Sequence, residues 1–349
     1  MSKAFSGKAQ TVLGPISSGD LGSTVTHEHL LIDFKLMFDP PSDTAKRNKA
    51  FEPVNLENLG WVNYYPFRNL DNLELLDEKT AVDEVLLFKS VGGGTIVEAT
   101  TFGIGRNPDG LKRIAMATGV NIIMGAGYYV DAVHPEGISN WGDSEIANEI
   151  ILQITTGFGD TGIKAGIIGE LGCSWPLTEN ERKVLRGSAK AQVETGASIL
   201  IHPGRNPKAP FEILDVLAEA GADIERVVMG HLDRTIADQD VLFDLAERGS
   251  YLEFDLFGWE VSNYPISEMD MPNDAQRIDF IQKLIQEGHR DQIVIAHDIC
   301  CKSRLARYGG HGYSHIIENI VPRMRLKGLS EVDIQYILVN NPAQMLALT

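Results

Sequence analysis

The sequence predicts a single-domain α/β protein, a (β/α)8 TIM barrel with a long insertion after its first strand. Two observations lead there. Eight short segments rich in Val, Ile and Thr alternate with stretches of helical period. Those segments are continuous apolar runs without clean alternation, which is how strands covered on both faces read. Eight such units fit a closed barrel better than an open doubly wound sheet.

The strands are expected at 24–32, 95–100, 121–128, 165–171, 198–202, 226–231, 251–255 and 292–298. Helical periodicity covers 83–90, 144–156, 179–195, 210–220, 238–248 and 274–287. Thr178 followed by Glu181 has the spacing of a capping box, and Gly196 is placed to close the same helix. Gly221 and Gly249 end the next two helical runs. The irregular stretch 34–79 holds Pro40, Pro41, Pro53 and Pro66 with Trp61, Tyr64, Tyr65 and Phe67. An insertion after the first strand lies over the active face of a barrel, so this one reads as a lid or pocket wall. A surface excursion is the plainer alternative.

Composition narrows the partners. With 43% apolar and 23% charged residues, the 349-residue chain has material for a full core in one domain, 1–349. A formal net charge of -17 argues against a nucleic-acid partner. Three cysteines, Cys300 and Cys301 adjacent among them, build no disulfide framework, and a reducing compartment is expected. Residues 1–10 contain no apolar leader, and no apolar run reaches about 18 residues. The expectation is a cytoplasmic protein without a membrane partner.

The chemistry lies at the strand ends. His27 and His29 in Thr-His-Glu-His are two apart, so they share a face of the first strand. Glu170, His202, His231 and Asp298 each follow another apolar run. Imidazole with carboxylate suits zinc and similar divalent ions. His27, His29 and Asp298 are expected to hold one ion and His202 with His231 a second, with Glu170 sharing its oxygens between them. A hydroxide between the ions would be the nucleophile, since bound metal lowers the pKa of water from about 15.7 to roughly 7. Asp298 is the expected catalytic base. Taken singly, a buried histidine is more often a hydrogen-bonded core residue, and Asp298 also suits a helix cap. His297 is expected to point out of the barrel, and Cys300 and Cys301 are not needed as ligands.

The loops beyond the ligands are basic: Arg205, Arg234, Lys302 and Arg304. A guanidinium near the site favours a substrate with an anionic tail; local pairing with acids such as Asp233 is the alternative. Tyr128 or Tyr129 would polarise a carbonyl or line the pocket, with Tyr129 the substrate-binding choice, and Arg106 is a further pocket candidate. The residues alone specify a small anionic acyl compound. Lactone or phosphoester hydrolysis, or a barrel that binds without catalysis, stays open on this reading.

Five segments carry a resemblance: Thr-His-Glu-His at 26–29, Gly-Ile-Ile-Gly-Glu at 166–170, Ile-His-Pro-Gly-Arg at 201–205, Gly-His-Leu-Asp-Arg at 230–234 and Ala-His-Asp at 296–298. Together they resemble the phosphotriesterase family of the amidohydrolase superfamily, nearly end to end. The resemblance implies a barrel with two divalent metal ions, zinc first, on the six residues named; barrels of this kind often form a homodimer. Gly-Cys-Ser-Trp-Pro-Leu-Thr-Glu at 172–179 and Tyr-Gly-Gly-His-Gly-Tyr-Ser-His at 308–315 resemble the animal branch of the family more closely still, and that resemblance implies cleavage of the amide of N-acetyltaurine to taurine and acetate, with other N-acyl amino acids as further substrates. Bacterial phosphotriesterases bridge their metals through a carboxylated lysine after Gly-Ile-Ile. Here Gly169 holds that place, Glu170 follows, and Lys164 is not at the matching position. The resemblance therefore implies an ordinary carboxylate bridge, as in the phosphotriesterase homology branch, and puts activity on phosphotriesters in doubt.

Overall fold

The computed structural model describes residues 6–43, 46–261, 264, 266 and 269–349. An antiparallel hairpin opens the chain, β1 (Lys8–Thr11) with β2 (Gly14–Ser17). The first barrel strand is β3 (Ser23–Glu28); β4 (Ile32–Asp33) and β5 (Glu74–Leu75) pair antiparallel across the insertion. The remaining barrel strands are β6 (Gly93–Glu98), β7 (Asn121–Ala126), β8 (Ile167–Gly172), β9 (Ile199–His202), β10 (Val227–Met229), β11 (Tyr251–Phe254) and β12 (Ile293–Ile295). Their order is β3-β6-β7-β8-β9-β10-β11-β12, every neighbouring pair parallel. Side-chain and loop hydrogen bonds close the ring: Thr26 Oγ1 donates to the Ile295 carbonyl at 3.2 Å and the Asp298 amide to the His27 carbonyl at 3.1 Å. This is the predicted (β/α)8 barrel.

Helices α2 (Glu78–Ser90), α3 (Pro108–Thr118), α4 (Asp143–Thr155), α5 (Glu179–Thr195), α6 (Ala209–Glu219), α7 (Gln239–Ala246) and α8 (Asp274–Gln286) connect the strands; α1 (Leu59–Tyr64) lies in the insertion. The expected capping box opens α5: Thr178 Oγ1 accepts from the Glu181 amide at 3.2 Å, and Glu181 Oε2 accepts from the Thr178 amide at 3.0 Å. Gly196 ends it at φ 69, left-handed backbone that a Cβ disfavours. Helix α2 starts five residues before the expected position, because Asp77 caps the Lys79 and Thr80 amides. The insertion therefore ends near Asp77 rather than at Lys79.

One residue from each of seven strands, Val97, Ile123, Ile167, Leu200, Val228, Tyr251 and Val294, joins Ala9, Leu21, Met345 and Leu346 in a buried cluster separate from the main core. Such a layer fills a barrel interior. Ala9 and Leu21 come from the start of the chain and Met345 and Leu346 from its last turns, so this plug leaves the strands' C-terminal ends to carry polar groups. Among the described residues, no helix is long and apolar enough to cross a membrane.

Candidate metal centre

All six residues picked as ligands converge at the C-terminal end of the barrel, with Glu170 in the middle. Glu170 Oε1 lies 3.3 Å from His29 Nε2, while Oε2 lies 3.4 Å from His27 Nε2, 2.9 Å from His202 Nδ1 and 3.5 Å from His231 Nε2. His231 Nε2 and His202 Nδ1 are 2.8 Å apart. Asp298 Oδ1 stands 3.2 Å from His29 Nε2.

The partners on the far side of three rings, His27, His29 and His231, fix which nitrogen faces inward. His27 Nδ1 meets two acceptors, Glu253 Oε2 at 3.1 Å and Asp255 Oδ2 at 3.2 Å, so it carries the proton. His231 Nδ1 likewise donates to Asp255 Oδ1 at 2.8 Å. Thr100 gives its one hydroxyl proton to Glu98 Oε1 at 2.6 Å and so accepts from His29 Nδ1 at 2.9 Å. In the neutral rings, three Nε2 lone pairs therefore point at a carboxylate. His27 Nε2 is buried without any hydrogen-bond partner. Lone pairs aimed at a buried anion repel unless a cation lies between them. The arrangement demands positive charge, either as protons on the rings or as bound metal.

The electrostatics agree. Burial lowers the His29 pKa, yet Asp298 and Glu170 together raise it to about 10. His27 is driven up against its burial by Glu170 and Asp255. Glu170, which burial alone would neutralise, is held well below the usual carboxylate range by His27 and the other imidazoles. The donor set and its charge fit divalent metal.

Two acids in this cluster escaped the sequence reading. Glu253 and Asp255, fully buried at the end of β11, orient His27 and His231. Burial raises Glu253 to about 7 despite His27. Their spacing, Glu-Phe-Asp on a predicted strand, already placed both on one face. Asp255 Oδ2 also accepts the His231 amide at 2.8 Å. That bond holds His231 at φ 54, a backbone conformation costing about 1 kcal/mol or more in a non-glycine residue.

Beside the cluster is a small cavity, about 20 Å3, lined by His29, Glu170, His202 and Asp298 together with Phe34, Phe67, Tyr129, Arg205, Arg234, Trp259 and Tyr264. Arg234 Nη2 donates to His202 Nε2 at 3.2 Å and to the Pro203 carbonyl at 3.1 Å. Arg205 Nε donates to the Tyr264 hydroxyl at 3.0 Å. Tyr129 places its hydroxyl 3.3 Å from His202 Nδ1. Among the described residues, neither arginine has a carboxylate within 4.0 Å; Asp233 pairs with Arg277 instead.

Other candidates fall elsewhere. Arg106 lies over the Phe158 ring at 3.9 Å and bonds Gln153, outside the cavity, because an apolar face and an amide meet its needs there. Tyr128 packs among Phe102, His134 and Trp141. Lys302 pairs with Asp71 of the insertion at 2.6 Å. Arg304 turns to backbone carbonyls. His297 bonds Glu28 behind the cluster, as its outward direction implied.

The model of the phosphotriesterase family matches residues 7–346. The chain belongs to that family. Within it, the chain is 49% identical over 345 residues to the N-acetyltaurine hydrolase of Xenopus tropicalis, covering 98% of this chain and 99% of that one. The crystal structure of a resiniferatoxin-binding protein from Rhodobacter sphaeroides superposes with a TM-score of 0.94 at 37% identity, over 97% of this chain and 95% of the other. A lactonase from Listeria monocytogenes matches at a TM-score of 0.79 and 25% identity, over 98% and 99% of the two chains. In this member of the phosphotriesterase family, the carboxylate at the centre of the candidate site belongs to Glu170.

Proposed function

We propose that this protein is a metal-dependent hydrolase that cleaves the amide of N-acetyltaurine to taurine and acetate, using two divalent ions, zinc first. One observation carries the substrate class: Arg234, buried, and Arg205, half-buried, both without carboxylate partners among the described residues, line the same cavity as the donor cluster. Two uncompensated guanidinium groups favour an anionic end on the substrate, and a sulfonate supplies one. The near full-length identity to N-acetyltaurine hydrolases supports the specific amide.

His27, His29 and Asp298 would hold one ion and His202 with His231 the other, with Glu170 between them. Bound there, the ions would supply Lewis acidity and a nucleophile derived from water at neutral pH. Asp298 takes the proton as the carbonyl is attacked and returns it to the leaving amine nitrogen. Tyr129 donates its hydroxyl toward the acyl oxygen. Arg205 and Arg234 fix the sulfonate so that the amide lies against the cluster. Phe34 and Phe67 bring the insertion to this cavity as a wall.

The test is taurine release from N-acetyltaurine by zinc-loaded protein beside an Asp298→Asn control. The control should lose about 10^2- to 10^4-fold in kcat, the usual span for a lost proton-transfer group. A second reading, lactone hydrolysis, is favoured by the likeness to the Listeria lactonase. Fast lactone turnover with inert N-acyl taurines would replace the amide reading.

A further inference from the structure

Asp298 has φ 50, left-handed for a residue with a side chain, and both peptide groups flanking its Cα are fully bonded. The His297 carbonyl accepts from Arg304 Nη2, and the Asp298 amide donates to the His27 carbonyl at 3.1 Å. The Asp298 carbonyl accepts from Arg304 Nη1 at 2.6 Å, and the Ile299 amide donates to Glu28 Oε2 at 3.1 Å. Glu28 Oε1 takes the His297 amide and Nδ1 as well, at 2.8 and 2.6 Å.

The two charged groups thus divide the backbone atoms of one short loop. Glu28 collects the His297 and Ile299 amide hydrogens, and Arg304 the His297 and Asp298 carbonyl oxygens. Arg304 has no carboxylate within 4.0 Å among the described residues; its guanidinium rests on carbonyls, on His311 Nε2, to which Nε donates at 3.3 Å, and on the Trp259 ring, 4.9 Å away. Its second nitrogen also reaches the Phe257 carbonyl at 3.4 Å, joining the Asp298 loop to the segment that carries Trp259. A guanidinium fork offers the two carbonyls two nitrogens fixed in one plane, a geometry that the single ammonium nitrogen of lysine does not reproduce.

We propose that Glu28 and Arg304 are positioning residues, a cation and an anion split across the Asp298 backbone, that aim the Asp298 carboxylate at the site. The assignment rests on the hydrolase reading, in which Asp298 moves the proton. Neither side chain lines the cavity beside the cluster, so each acts through Asp298.

The experiment uses the full chain in two forms. N-acetyltaurine turnover is measured on zinc-loaded protein, and visible absorption, which reports ligand geometry, on cobalt-loaded protein. The variants are Arg304→Lys, Glu28→Gln, Asp298→Asn and the pair Arg304→Lys with Asp298→Asn. Arg304→Lys and Glu28→Gln should each lower kcat about 10- to 100-fold with KM within about threefold, because a misplaced group costs rate more than binding. Both should shift the cobalt band. Adding Arg304→Lys to Asp298→Asn should cost less than about twofold more, as expected for residues that act as one unit. Losses that multiply, or an unchanged cobalt band with unchanged kcat, overturn the proposal. If Arg304→Lys does not fold, Glu28→Gln in the Asp298→Asn background carries the same comparison. Wild-type protein that takes up cobalt yet releases no taurine would sink the hydrolase reading alone, and the cobalt band would still decide the clamp.

Discussion

Two buried charge networks meet at the C-terminal end of the barrel and are balanced in opposite ways. In one, Arg277 supplies its own cation: Nε donates to Asp233 at 2.7 Å, Nη1 to Asp274 at 2.8 Å and Nη2 to the Trp259 carbonyl at 2.9 Å, leaving Asp233 Oδ1 as the loose end. Asp274 is held low, against its burial, by His315 and Arg277. In the other, Glu170, Asp298, Glu253 and Asp255 surround four imidazoles, and no Lys or Arg side chain pairs with these four acids among the described residues. The first network is finished by the fold itself. The second is finished only when positive charge arrives from outside, and that asymmetry separates a structural cluster from a binding one.

Removing the central acid should break the comparison most severely. Glu170→Gln should lower metal content, measured by elemental analysis, and cut turnover by at least about 10^3-fold; full metal occupancy with ordinary turnover would refute the role given to Glu170. Arg277→Met strands Asp233 and Asp274, and urea unfolding should show a loss of about 3–5 kcal/mol while metal stoichiometry stays intact. A loss below about 1 kcal/mol would mean that the closed network is not the structural one. Arg205→Ala touches neither network and should raise KM for N-acetyltaurine about 10- to 100-fold, the worth of a hydrogen bond to a charged group, with little change in kcat. An unaltered KM would move the sulfonate elsewhere. The smallest effect belongs to Arg106→Gln, outside the cavity: steady-state kinetics should stay within about threefold of wild type.

The barrel was legible because strands covered on both faces must be apolar throughout, and β7, β8 and β9 stand close to where those runs put them. Boundaries suffered where side chains take over backbone bonding. The last strand was expected at 292–298 but ends at Ile295, since Glu28 and Arg304 claim the peptide groups of His297 and Asp298. Three stretches went unread: the hairpin Lys8–Thr11 with Gly14–Ser17, the helix Pro108–Thr118, and the turns from Ile316 to Leu346, where π-helical segments blur the helical period. All six ligand candidates were visible because each falls in the C-terminal part of a barrel strand or just beyond it. The basic residues were not separable by sequence: Arg205 and Arg234 reach the cavity, while Arg304 and Lys302 are committed to carbonyls and to Asp71, a choice that depends on loop paths rather than spacing.

The two-rung ladder between Ile32–Asp33 and Glu74–Leu75 draws together the two ends of everything strung between its rungs. The excursion therefore leaves and rejoins the barrel side by side, as a hairpin turn does. Closing a longer excursion at that clasp costs only about 0.6 kcal/mol per doubling of length. The length of the segment that carries the aromatic wall can therefore change at little cost in stability, while the clasp keeps both of its ends where the ligand-bearing strands need them.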